Sequence, residues 1–151
     1  MADSPPNEPF AGAKLLLRHA GGLLTILRDD RPGLPFADHW DLPGGGREGG
    51  ESPLACALRE LSEELSLALP PDRLTAHRVA SHARPGMASW LFAGDVTAAE
   101  IGRIVLGHEG QCWRLMPVAR FMSHPRAIAH QQDWIRPLVA PHRPAGASCR
   151  P

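Results

Sequence analysis

Glu60, Glu63 and Glu64 stand at i, i+3 and i+4 in the run Arg59-Glu60-Leu61-Ser62-Glu63-Glu64-Leu65. On a helix that spacing gathers three carboxylates on one side. Carboxylate oxygens are the ligands that hard cations such as magnesium and manganese prefer. A glycine-rich stretch precedes them, Gly44-Gly45-Gly46 followed by Gly49-Gly50, where bare backbone can approach a ligand closely. Bound metals can activate water and steady a leaving oxygen during displacement at phosphorus. The pattern therefore points to metal-assisted chemistry on a phosphorylated compound.

The ordinary alternative is a solvated charged face. The charge pattern argues against it. None of the three glutamates has a Lys or Arg four residues later, the arrangement that steadies an exposed helix. Glu60 and Glu64 are instead a like-charge i, i+4 pair, and Glu63 and Glu64 lie near the helix C-terminus, where the macrodipole disfavours negative charge. A cation bound there relieves all three penalties.

The helix that must carry these groups is well marked. Ser52 suits an N-cap and Pro53 the first helical position, so a helix is expected from Pro53 to about Leu65, before Pro70-Pro71. Leu54, Ala57, Leu58, Leu61 and Leu65 form its apolar stripe, opposite the glutamates. Upstream, Ala11, Ala13, Leu15 and Leu17 alternate with Lys14 and Arg18 as on a strand. Gly21-Gly22 reads as a hairpin turn, and Leu23–Arg28 as the returning strand. Downstream, Leu74–His82 and Ala88–Val96 read as strands, and Gln111–Met116 as a short third one. Thr97–Leu106 fits either a helical turn or a strand. Pro117–Phe121 could start a helical turn, and Ile128–Arg136 reads as a final helix stopped by Pro137. A curved mixed sheet packed between helices is the expected α/β architecture.

At 151 residues the chain fits one domain. We place it at residues 11–140, between an N-terminal arm over 1–10 and a proline-containing tail over 141–151, both expected to be flexible. Sixteen basic residues balance sixteen acidic ones, so no global field recruits nucleic acid or an anionic membrane. Fifteen of the basic residues are Arg, and only Lys14 is Lys. Apolar runs are too short to span a bilayer. Cys56, Cys112 and Cys149 are odd in number and widely spaced, which fits a reducing compartment, and a cytoplasmic protein is expected. The histidines form no metal pair, because His77 and His82 would face opposite sides of a strand. Cys56 reads as a small packing residue, and Trp40 as packed beneath the glycine turn.

The spacing from Gly45 onward resembles the Nudix box, G-x5-E-x7-R-E-U-x-E-E-x-G-U with U a bulky aliphatic. Gly45, Glu51, Arg59, Glu60, Glu63 and Glu64 match, and Trp40-Asp41-Leu42-Pro43-Gly44-Gly45 looks like the usual lead-in. Six such matches arise by chance with a probability on the order of 10⁻⁵ at residue frequencies near ~7%. Ser66 departs from the pattern, standing where the family has Gly. A left-handed helix end there would cost a serine about 1–2 kcal/mol.

The resemblance implies an α/β/α sandwich with the curved mixed sheet between helices. It implies a pyrophosphohydrolase dependent on Mg²⁺, with Mn²⁺ as a substitute, that cleaves nucleoside diphosphates linked to a further group. Glu60, Glu63, Glu64 and the Gly44 carbonyl become metal ligands, joined by Glu109 from a later loop. Arg59 and Glu51 become a pair that orients the helix. Glu63 and Glu109 are the candidates for general base. Arg28 and Trp113 are candidate substrate contacts. The likeness is greatest to MutT-like hydrolases of unmodified or oxidised (d)NTPs; ADP-ribose, nucleotide sugars and dinucleoside polyphosphates are the alternatives. A regulatory module that binds nucleotide without turnover is the rival of another class, but such modules generally lose box carboxylates. Expected partners are thus a small nucleotide, with no nucleic acid or membrane, and a homodimer in some relatives.

Overall fold

The computed structural model describes residues 8–139. The expectations for the extreme N-terminus and for the tail over 141–151 lie outside the described residues, except that Phe10 already opens the first strand.

The strands are β1 (Phe10–His19), β2 (Gly22–Leu27), β3 (Trp40–Asp41), β4 (Gly44–Gly46), β5 (Thr75–Ala80), β6 (Ala88–Asp95) and β7 (Cys112–Pro117). The helices are α1 (Pro53–Leu65), α2 (Ala98–Gly102), α3 (Val118–Ser123) and α4 (Ala129–Val139), with a 3₁₀ turn over Pro71–Arg73. The strands form one mixed sheet in the order β3-β2-β1-β6-β5, with β4 paired to β1 and β7 to β2. β1 lies parallel to β6 and antiparallel to β2 and β4.

Strand β1 is central, and both its faces are covered. Leu15, Leu16 and Leu17 are all fully buried in consequence. Leu15 and Leu17 join Ala57, Leu61 and Leu65 of α1 in one core. Leu16 joins Phe121 of α3 and Ile135 of α4 in another. The sheet is thus sandwiched between α1 and the α3–α4 pair. Alternation along β1 consequently separates two buried faces, not an inner face from an outer one.

Helix α1 has the bounds its sequence predicts. Ser52 Oγ accepts from the Ala55 N–H at 3.1 Å, and Pro53 opens the helix. Ser66 closes it in the left-handed region at φ 57°, its N–H donating to the Ser62 carbonyl and its hydroxyl to the Val105 carbonyl. Within the ambiguous span after β6 only Ala98–Gly102 is helical, started by a reciprocal capping box between Thr97 and Glu100. Pro137 does not end α4, which continues to Val139. Leu138 and Val139 still pack on the second core, which offsets the lost backbone bond.

Candidate functional site

The lead-in to α1 lies on β1. Gly44 pairs with Lys14 and Gly45 with Ala13, while the Leu15 N–H donates to the Pro43 carbonyl. Gly44 has φ 129°, and a Cβ there would strike the β1 backbone. Gly45 is restricted from the other side: its Cβ would sit 2.6 Å from the Glu60 carboxylate. Bare backbone therefore brings β4 against both the central strand and the acidic face of α1.

Arg59 organises that face. Its Nε and Nη2 donate to the two oxygens of Glu51 at 2.9 and 2.8 Å. Nη2 also reaches the Gly46 carbonyl, and Nη1 donates to Glu60 at 3.0 Å and Glu63 at 3.3 Å. Glu63 thus does have a basic partner, four residues before it, in the less favourable order for an i, i+4 pair. Arg59 beside it, and then the Glu48 N–H, hold the Glu51 carboxyl down at about 2. Arg59 is raised in turn, chiefly by Glu51.

The other two carboxylates are shifted the opposite way. Burial pushes Glu64 up to about 7, against the charge of Lys14 and one donor, the Gly44 N–H at 2.6 Å. Burial likewise raises Glu60 despite Arg59. Among the described residues no three acidic, His or Cys side chains converge on one point. Arg59 holds Glu60 and Glu63, whereas the Gly44 amide holds Glu64. An all-oxygen donor set containing two carboxylates that burial makes reluctant to ionise fits a hard divalent cation, which would supply the missing countercharge.

Glu109 faces a cavity of about 100 Å³ together with Glu64, Arg28 and Asp41, so tertiary structure brings it beside the box. Arg28 donates from Nη1 to Asp41 at 3.1 Å and from Nε to the Pro35 carbonyl. It lines this cavity and a second one of about 250 Å³. Trp113 lines neither; it packs against the α1-side core. Trp40 is buried in the α3–α4 core with the Arg114 guanidinium over its ring, not beneath the glycine turn. Cys56 is buried against Gly45, and burial pushes its thiol up to about 12, which suits a packing residue.

The larger cavity contains residues that the sequence did not single out. Its floor is polar: Asp41 accepts from Lys14, Arg28 and the Gln131 amide, and Gln131 accepts in return from the Leu42 N–H. Its wall is aromatic. His82 and His130 stack at 4.3 Å with planes 3° apart, Phe36 contacts both, and Trp134 meets His130 edge-on. Burial lowers His130 to about 4, leaving its ring neutral at pH 7. Gly45 and Gly46 complete the lining, and Gly45 also bears on the Glu60 carboxylate. The histidines do organise, then, but through the approach of α4 to the turn after β5, which no local spacing encodes. Asp41 and the lone lysine were legible signals; Gln131 had none.

The family model described as NUDIX domain matches residues 10–138. An RNA pyrophosphohydrolase of Gluconobacter oxydans (strain 621H) is 32% identical over 115 residues, covering 70% of this chain and 60% of the relative. A MutT-like protein of Streptomyces ambofaciens is 36% identical over 74 residues, covering 49% of this chain and 44% of the relative. The chain therefore spans less than two thirds of the length of these curated relatives. Among solved structures, the MutT protein from Methanosarcina mazei Go1 superposes with a TM-score of 0.68 at 21% identity, over 87% of this chain and 94% of that one. A C. elegans Ap4A hydrolase gives 0.61 at 21% identity, over 84% and 94%. At such identities these two likenesses speak for the fold.

Proposed function

Because this chain belongs to the NUDIX domain family, we propose that it is a Mg²⁺-dependent pyrophosphohydrolase acting on nucleoside diphosphates linked to a further group, with (d)NTPs or oxidised (d)NTPs as its substrates. The observation that carries the reading is the shared wall of Gly45 and Gly46. One side of this strand lines the aromatic cavity, and the other bears on Glu60. A base laid against the wall formed by Phe36, His82 and His130 would direct its phosphates along the glycine backbone towards α1. Stacking on such faces stabilises a base without selecting one strongly.

Glu60, Glu64, the Gly44 carbonyl, Glu63 and Glu109 would hold the metal, which supplies charge neutralisation at the phosphates and acidifies water. The chain's own residues do the rest. Arg59, anchored on Glu51, fixes the rotamers of Glu60 and Glu63. Glu63 and Glu109 are the candidates to accept a proton from attacking water, since neither is locked by a backbone amide as Glu64 is. Arg28 stands between the cavities, where its charge can meet a phosphate oxygen. Among the described residues Cys56 and Cys112 are unbridged, in keeping with a reducing, cytoplasmic setting. Among the described residues no helix is long and apolar enough to cross a membrane.

A second reading, removal of pyrophosphate from the triphosphate end of an RNA, is motivated by the Gluconobacter relative. A cavity of about 250 Å³ favours one nucleotide over a strand. The deciding experiment is a phosphate- and pyrophosphate-release screen with Mg²⁺ or Mn²⁺. Its panel holds unmodified and 8-oxo (d)NTPs, ADP-ribose, nucleotide sugars, dinucleoside polyphosphates and a 5′-triphosphorylated RNA oligonucleotide. Pyrophosphate from (d)NTPs supports the reading, turnover of only another compound reassigns the substrate, and nucleotide binding with no turnover of any overturns it.

A further inference from the structure

Lys14 is the only lysine in a chain with fifteen arginines. From its register position opposite Gly44, its ammonium meets four oxygens: Asp41 Oδ1 at 2.9 Å and Oδ2 at 3.1 Å, the Leu42 carbonyl at 3.2 Å and the Gly44 carbonyl at 2.9 Å. Backbone and carboxylate oxygens gathered around one point are the surroundings of a bound cation, and here the cation is covalently attached. A planar guanidinium could not fill this position. Its donors form a flat fork suited to one carboxylate, whereas an ammonium is a compact charge with donors in three dimensions.

One of those four oxygens has a second claim on it. The Gly44 carbonyl is the backbone metal ligand in the reading above, and the N–H of the same residue donates to Glu64. Lys14 and the carboxylate site are therefore joined through a single residue. The charge of Lys14 is also felt at both Glu60 and Glu64. Asp41 offsets that charge only in part, because it is shared with Arg28 and Gln131.

We propose that Lys14 is a resident cation that shares the Gly44 carbonyl with the divalent metal and holds metal affinity low until a substrate's phosphates arrive. This rests on the metal reading of the box carboxylates. A carbonyl already polarised by an ammonium donates less to a second cation, and a fixed positive charge close by repels a divalent one. Phosphate oxygens reverse the balance by adding negative charge. Metal and nucleotide binding become mutually dependent, and metal alone binds weakly.

The test is direct Mn²⁺ binding, by electron paramagnetic resonance of the free ion, to the full chain without nucleotide. Lys14→Met removes both charge and donors; Lys14→Gln keeps a donor and removes the charge. Both should bind Mn²⁺ about tenfold more tightly than wild type, as expected for loss of one nearby charge in a solvated site. Both should also show weaker enhancement by a non-hydrolysable nucleotide. Unchanged or weaker Mn²⁺ binding in the folded variants overturns the proposal. The wild type offers an independent measurement, since ¹⁵N-lysine labelling yields a single side-chain ammonium signal. That signal should move as Mg²⁺ is added, with the midpoint of metal binding, and a stationary signal at saturation overturns the proposal even where the variants fail to fold. Wild type that binds no Mn²⁺, with or without nucleotide, instead overturns the metal reading on which it rests.

Discussion

Arg59 grips both oxygens of Glu51, at 2.9 and 2.8 Å, and with its remaining N–H groups holds Glu60, Glu63 and the Gly46 carbonyl. One guanidinium thus ties the loop before α1 to the helix's acidic face. Its fork geometry is what an ammonium lacks. Arg59→Lys should leave the fold intact and lower kcat by about ten- to a hundredfold with little change in KM, because it disturbs carboxylate placement and not the aromatic cavity. Steady-state kinetics beside a circular dichroism spectrum check this. An equal rise in KM would assign Arg59 to substrate binding.

The same pair has a pH signature. Glu51 is held below its ordinary value, at about 2. Its contribution to stability is present above the unfolded value near 4.5 and is lost as pH falls from there towards 2. Glu51→Gln should therefore flatten the acid limb of the melting-temperature profile in that window. An unchanged limb would contradict the assignment.

Glu64 has the opposite sign. Its folded value, about 7, lies above the unfolded one, so the folded state binds the extra proton. Stability from this group is complete below about 4.5 and declines as pH rises through 7. Without metal, Glu64→Gln should melt above wild type at pH 8, by a few degrees for a difference on the order of 2 kcal/mol, and near wild type at pH 4. The same variant should lose about 10²–10³-fold in turnover. A variant that is stabilised but inactive separates the role of Glu64 in catalysis from any role in folding.

Ser66 carries a left-handed backbone at φ 57° and a hydroxyl bond to the Val105 carbonyl at 3.1 Å. Ser66→Gly removes strain of about 1 kcal/mol and a hydrogen bond of about the same size, so chemical denaturation should find it near wild type. Ser66→Ala keeps the strain and loses the bond, and should be destabilised by about 1 kcal/mol.

Gly45 faces the Glu60 carboxylate from a distance that leaves no room for a Cβ. Gly45→Ala should fold, displace Glu60 and reduce both Mn²⁺ affinity and kcat. Gly44→Ala should instead lose the fold, since it combines a left-side φ with a collision against β1 backbone. Comparing the two by thermal melting and Mn²⁺ binding distinguishes a site defect from a folding defect.

What the chain order encoded is what lies close together along it. Helix α1, its Ser52 cap and the Arg59–Glu51 pair were legible because helical periodicity and capping act over a few residues. The box, falling within one loop and one helix, also named the family. Tertiary structure decided everything that depends on segments meeting across the sheet. The short strands β3 and β4 have no periodicity of their own and exist because β1 and β2 offer them hydrogen-bond partners. His82, His130 and Trp134 become a cavity wall only when α4 packs beside the turn after β5. Lys14 read as one side of an alternating strand, yet both sides of β1 are covered, which leaves its ammonium among the oxygens of Asp41, Leu42 and Gly44. Local spacing placed the carboxylates of α1, while long-range packing built the cavity beside them and the charge of Lys14, because burial and countercharge depend on which parts of the chain approach in space.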